Sequence, residues 1–294
     1  MIRTVLGSLD PSAAGIVDSH DHLFLSTPLL PGDELDDAAA ATDDLRGFAQ
    51  QGGGTLIQWT PRGLKRGLDA LRRISESTGV HIVAATGRHR RALYPRHAPG
   101  ADLDPNQLAD AFIRDLVNND CGLIKVGVSY EEITPDEVDA LYAAAVAHHA
   151  TSAPIAVHLE QGSAADLVLD RLFAENVPAR SIILGHVAKN PDPDGIANTA
   201  QAGTWLCLDA PSPRNRITTD QLARIAGRLV DQGHSSQLLL GADTTTAGSR
   251  TAPRQYGPSG LLTDVMPQLT EALGTDKMTE IMVTNPALAW SVPL

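Results

Sequence analysis

The stretch IVDSHDHLF, residues 16–24, decides how this chain is read. Ile16 and Val17 begin an apolar, strand-like run that ends in His20 and His22, separated by one residue. Side chains two apart on an extended strand project from one face, so both imidazoles can grip one ion. Chemically active side chains end four further apolar runs: Lys125 in CGLIKVGVSY (121–130), His158 in PIAVHLEQG (154–162), His186 in SIILGHVAKN (181–190) and Asp243 in QLLLGADTTT (237–246).

Working outward from that run, strand-like segments alternate with amphipathic ones along the whole chain. GIVDSHDHL, GTLIQWTP, VHIVAATG, GLIKVGV, PIAVHLE, SIILGHV, TWLCLDA and QLLLGAD make eight. That is the number a single α/β domain of the (β/α)8 TIM-barrel class requires, and it is the fold expected over residues 1–294. Between the runs, GLKRGLDALRRISESTG (63–79) places Leu64, Leu68, Leu71 and Ile74 on one helical stripe. In TPDEVDALYAAAVAHHA (134–150), Thr134, Pro135 and Glu137 form a capping-box start. The acidic DELDDAAAATDD (33–44) opens the first barrel helix. The longest irregular stretches (88–104, 210–220 and 244–260) follow the third, seventh and eighth runs, where barrel loops shape the active-site mouth.

Composition narrows the partners. With 35 acidic against 23 basic residues, the net charge of −12 argues against nucleic acid and for a small-molecule substrate. No apolar run reaches the ~18 residues of a membrane span, and MIRTVLGSLDPSAAG lacks the layout of a secretion signal. The expected location is the cytoplasm. Cys121 and Cys207 then read as buried thiols in a reducing compartment rather than a disulfide. Hydrophobic content of 43% with 4% aromatic suits parallel strands under Ala-rich helices.

A lone histidine on an apolar strand is ordinarily a core residue. Here histidine, lysine and aspartate end the first, fourth, fifth, sixth and eighth runs, all at the rim where barrel enzymes carry their chemistry. Imidazole and carboxylate suit Zn, Co, Mn or Fe. Lys125 lies between Ile124 and Val126, and burial there favours the neutral, reactive amine. Three roles stay open for it on the residues alone: a modified ligand, a partner of a carboxylate such as Asp243, or a Schiff-base lysine of a class I aldolase.

HDH, IKVG, VHLEQG, GHVAKNPDP, LGAD and the closing VTNPA together resemble the phosphotriesterase family of the amidohydrolase superfamily, from TVLG at residue 4 to the C-terminus. The resemblance implies two divalent ions per chain, Zn first, with Mn, Co or Fe as alternatives. It implies that His20, His22 and Asp243 hold the buried ion, that His158 and His186 hold the exposed one, and that Lys125 carries a carbamate bridging both. A hydroxide between metals about 3.5 to 4 Å apart would be the nucleophile. Lys125 and Asp243 would be the catalytic residues, Asp243 taking the nucleophile's proton. A homodimer is common in that family.

The loops set the substrate. Those after the third, seventh and eighth runs hold Arg88, Arg90, Arg91, Arg96, Arg214, Arg216, Arg250 and Arg254, with Tyr256 nearby. Arginine suits bidentate recognition of phosphate or carboxylate. With GHVAKNPDP, this pattern is similar to the branch that hydrolyses sugar lactones and phosphorylated furanose lactones, and the expected substrate-binding residues are His89, Arg214, Arg216, Arg250, Arg254 and Tyr256. One departure is TGRHRR (86–91), where many lactonase relatives carry an aromatic residue and this chain has His89. The alternatives are an organophosphate triester hydrolase and a noncatalytic metal-binding member of the family.

Overall fold

The computed structural model describes residues 1–96, 98, 103–118, 121–250 and 256–292. A short antiparallel hairpin, β1 (Ile2–Thr4) and β2 (Gly7–Leu9), precedes the barrel and was not anticipated from the sequence. Its residues pack at the N-terminal ends of the strands: the Val5 N–H donates to the Ile82 carbonyl at 2.8 Å.

Eight strands follow: β3 (Ile16–Asp21), β4 (Gly53–Gln58), β5 (His81–Arg88), β6 (Leu123–Val128), β7 (Ile155–Leu159), β8 (Ile182–Gly185), β9 (Trp205–Asp209) and β10 (Leu238–Gly241). Each pairs in parallel with the next, in the order expected of a (β/α)8 barrel. The seam between β10 and β3 is held by three bonds. Asp243 N–H donates to the His20 carbonyl at 2.8 Å. The carboxylates of Asp18 and Asp21 accept from the Ala242 N–H at 3.1 Å and the Thr244 N–H at 2.8 Å.

Among the described residues seven α-helices connect the strands: α1 (Ala38–Gln50), α2 (Leu68–Thr78), α3 (Pro105–Val117), α4 (Pro135–Thr151), α5 (Ala165–Ala174), α6 (Pro193–Gln201) and α7 (Thr219–Asp231). Helical segments over 257–289 complete the ring. Helix α1 starts where the acidic stretch places it, Asp37 accepting from the N–H groups of Ala39 and Ala40. In α4, Glu137 reaches back to the Thr134 N–H at 2.9 Å. Helix α2 begins at Leu68, later than the stripe from Leu64 suggests. Gly67 adopts φ 66°, and a Cβ there would lie 2.7 Å from the Phe24 ring, so the chain turns before the helix. Leu64 is still fully buried, but from the loop.

Strand alternation sorts the two faces. Leu56, Ile82, Ile124, Val157, Leu184, Leu206 and Leu240 pack outward against the helices. Ile57, Val83, Leu123, Ala156, Ile183, Cys207 and Leu239 fill the interior together with Trp59, Trp205 and Trp290. Lys125, His158 and Asp209 share the parity of Leu123, Ala156 and Cys207, and so stand one layer above that interior cluster. Among the described residues neither cysteine is in a disulfide, and both are buried.

Candidate metal centre

The β3–β4 register shifts between Asp18 and Asp21. Such an irregularity re-aims side chains, and it brings His20 and His22, one parity off from Val17, into the interior. Their rings lie 5.5 Å apart, and His20 stacks on the fully buried Trp59 at 3.8 Å. The Trp59 N–H donates to the Ser19 carbonyl at 2.8 Å, which fixes that platform.

His186 and Asp243 come one and two residues after the ends of β8 and β10, both in the left-handed region, at φ 65° and 50°. This conformation costs a non-glycine residue about 1–3 kcal/mol and persists where surroundings hold it, often at functional sites. The two left-handed residues turn their side chains over the strand ends. The Asp243 carboxylate lies 3.5 Å from His20 Nε2, 3.7 Å from His22 Nε2 and 3.7 Å from His186 Nδ1. Donors sharing one tetrahedral ion at about 2.0–2.2 Å stand roughly 3.3 Å apart. His20, His22 and Asp243 therefore fit one cation. His186 Nε2 faces His158 Nδ1 at 2.7 Å, converging on a second point.

Lys125 is only 1% exposed, among these rings. Burial drives its amine well below the ordinary lysine value against the opposing pull of Asp243, so the neutral form is favoured. No hydrogen bond to that amine occurs among the described residues. The donor set thus fits metal binding, with a buried lysine side chain beside it.

Asp209, which the sequence reading missed, orders the centre. One carboxylate oxygen accepts from His20 Nδ1 at 2.8 Å, and the other from His186 Nδ1 at 2.6 Å. Both rings are thereby left with Nε2 free to ligate. Burial alone would raise the Asp209 carboxyl, but the His186 and His20 rings hold it well below the usual carboxylate range. Burial would also raise Asp243, and Lys189, with its ammonium 3.2 Å away, overcomes this together with the histidines. The ring of His22 is held through Nδ1 at 2.7 Å from Thr60. His158 Nε2 bonds Glu160 at 2.9 Å, and Glu160 pairs with Arg90 at 2.7 Å.

A cavity of about 230 Å³ opens over these donors, walled by Leu25, Leu30 and Leu93 and by His89, Arg90, Lys189 and Arg214. His89 is buried there, 4.5 Å ring to ring from His158, and its Nδ1 accepts the Arg90 N–H at 2.7 Å. That tautomer leaves Nε2–H as a donor. A larger cavity of about 620 Å³, lined by Arg214 and Arg216, lies beside the donors rather than over them.

The remaining loop residues go elsewhere. Arg250 is 6% exposed and turns inward, to Asp44 at 2.5 Å and the His22 carbonyl at 2.9 Å. Tyr256 borders a separate small cleft with Pro211 and Leu261. Arg254 falls outside the described residues. Arg88 is buried against Asp136 at 3.3 Å.

Known proteins resemble this chain over nearly its whole length. A phosphotriesterase homology protein of Mycobacterium tuberculosis is 27% identical over 97% of this chain and 96% of its own. A phospho-furanose lactonase of Mycoplasmopsis synoviae is 26% identical over 97% of this chain and 90% of its own. The crystal structure of a lactonase from Listeria monocytogenes superposes with a TM-score of 0.93 at 24% identity, covering 100% of this chain and 99% of the other. The phosphotriesterase family model matches residues 1–290, and the chain belongs to that family of metal-dependent hydrolases in the amidohydrolase superfamily.

Proposed function

We propose that the protein is a lactonase that opens a sugar lactone or a phosphorylated sugar lactone, using two divalent ions, Zn first, and a carbamate on Lys125. The observation that carries the reading is the burial of the Lys125 side chain amid converging His20, His22, His158, His186 and Asp243. Its nitrogen would attack carbon dioxide, a C–N bond forming as one C=O π bond opens onto oxygen and the proton leaving to water, which would add an anionic ligand to the donor set. The relatives named phospho-furanose lactonase and lactonase support the choice of a lactone.

When bound, the ions supply electrophilic polarisation of the substrate carbonyl and an acidified water. The chain's own residues do the rest. Asp243, kept ionised by Lys189, accepts the water's proton and returns it toward the leaving alkoxide. His89 offers its Nε2–H to a substrate oxygen, and Leu25, Leu30 and Leu93 keep bulk solvent from the reacting bond. In this reading the chain is one domain over 1–294 and acts as a cytoplasmic homodimer on a small molecule, engaging neither nucleic acid nor membrane. Among the described residues no helix is long and apolar enough to cross a membrane.

A pH-indicator assay of metal-loaded protein on lactones and phosphotriesters, with elemental analysis, tests the reading. The expected result is two ions per chain and faster turnover of lactones. Lys125→Ala loses both metal and turnover and regains part of each with short carboxylic acids. A metal-loaded protein that opens no lactone sinks the proposal, and full turnover by Lys125→Ala without added acid removes the carbamate.

A further inference from the structure

We infer that the substrate is extended and carries an anionic group away from the reacting ester, seated against Arg216 and Arg224 in the cavity between the segment after β8 and helix α7. This rests on the hydrolytic reading above and adds the location and charge of a distal subsite. Size is the first argument. The cavity over the metal donors is about 230 Å³, below the roughly 300 Å³ at the low end of small-molecule sites. The neighbouring cavity is about 620 Å³. Lys189 and Arg214 line both, so one molecule can reach from the donors into the larger space by passing between them.

Charge is the second argument. Lys189, Arg214, Arg216 and Arg224 line the larger cavity, and no carboxylate does so among the described residues, on a chain whose net charge is −12. Two of the four cations are already matched, Lys189 by Asp243 and Arg214 by Asp33. Arg88, Arg90 and Arg250, at the same end of the barrel, are also matched, by Asp136, Glu160 and Asp44. Arg224 differs: among the described residues its Nε donates only to the Asp220 carbonyl of its own helix, at 3.2 Å. Arg216 has no hydrogen bond or ion pair among the described residues. Two guanidinium groups facing one cavity without a carboxylate are suited to a phosphate or carboxylate, which each binds through paired N–H donors. Ile196, Ile217 and Ile225 line the same space and give the arm of the substrate an apolar wall.

The test compares two γ-lactones that share a ring, one with a propyl arm and one whose arm ends in phosphate, on the wild type and on Arg216→Gln/Arg224→Gln. The ratio of kcat/KM, phosphate-ended over neutral, is expected to fall roughly tenfold to hundredfold in the double variant, the scale of losing a charge-assisted hydrogen bond. An unchanged ratio overturns the subsite. Calorimetric titration with the ring-opened, phosphate-ended hydroxy acid needs no turnover and separates the two readings. Should the wild type open neither lactone yet bind this acid with an affinity that the double variant loses, the hydrolytic reading falls and the anion seat stands. Equal affinity in both proteins removes the seat whatever the turnover.

Discussion

Asp209 decides which nitrogen of His20 and of His186 faces an ion, because its two oxygens occupy both Nδ1 atoms at 2.8 and 2.6 Å. An outer carboxylate of this kind orients a ligating imidazole and raises its basicity, and removing one typically costs 10–100-fold in metal affinity or activity. Asp209→Asn keeps the size but loses the charge. Its metal dissociation constant, read by competition with a chelator, is expected to rise by about that factor, and a wild-type value would leave Asp209 a purely packing residue. Asp243→Asn tests the proton acceptor: turnover should drop about 10²-fold or more while metal content stays near that of the wild type. Near-normal turnover would move the role to another group. Asp209 was available in TWLCLDA, two residues beyond Cys207 and so on the same strand face, but alternation says only that it points inward. That it bridges two histidines on different strands depends on barrel closure.

At the scale of the element, the strands meet where side chains are missing. Gly241 on β10 stands against β3, and a Cβ there would lie 2.5 Å from both the Cβ and the backbone nitrogen of His20. Gly87 on β5 has φ 109°, and its Cβ would lie 2.0 Å from the Lys125 carbonyl. Neither neighbour can retreat, because each is backbone in an adjacent strand. Gly241→Ala is therefore expected to destabilise by about 1–3 kcal/mol or more, read as a lower denaturant midpoint together with weaker metal binding. Gly227 in α7 is the contrasting case: its Cβ would meet only Leu273, at 3.7 Å. Gly227→Ala should stabilise by roughly 0.5–1 kcal/mol through helix propensity. If both alanines shifted the midpoint equally, the close approach at the seam would carry no weight. The periodic stripe of α2 was legible, but its start was not, since Gly67 meets the Phe24 ring only after folding.

The whole molecule holds many imidazoles out of water. His22, His89 and His158 sit well below the ordinary value of about 6.5, and His81, His148 and His186 are also lowered, burial being the first cause in each. Below pH ~6.5 the unfolded chain binds protons that the folded chain refuses, so stability falls as pH drops through that window. Asp18 and Asp21, raised by burial, and Asp44, raised to about 6, act in the opposite sense, their contribution being lost as pH rises. The histidines outnumber them. For metal-free protein the urea midpoint should be lower at pH 5.5 than at pH 7.5, and a higher midpoint at 5.5 would contradict this balance. By itself the sequence determined the eight-strand alternation and the residues at each strand end, because period-two hydrophobicity and turn chemistry are local properties. It did not determine which loop cations face the metal cavity. Arg250, Tyr256 and Arg216 are equally plausible by spacing, yet Arg250 folds back onto Asp44 and Tyr256 borders another cleft. Only the tertiary structure decided that, as it decided the Asp209 bridge, because long side chains on irregular backbone take their direction from partners distant in sequence rather than from a periodic register.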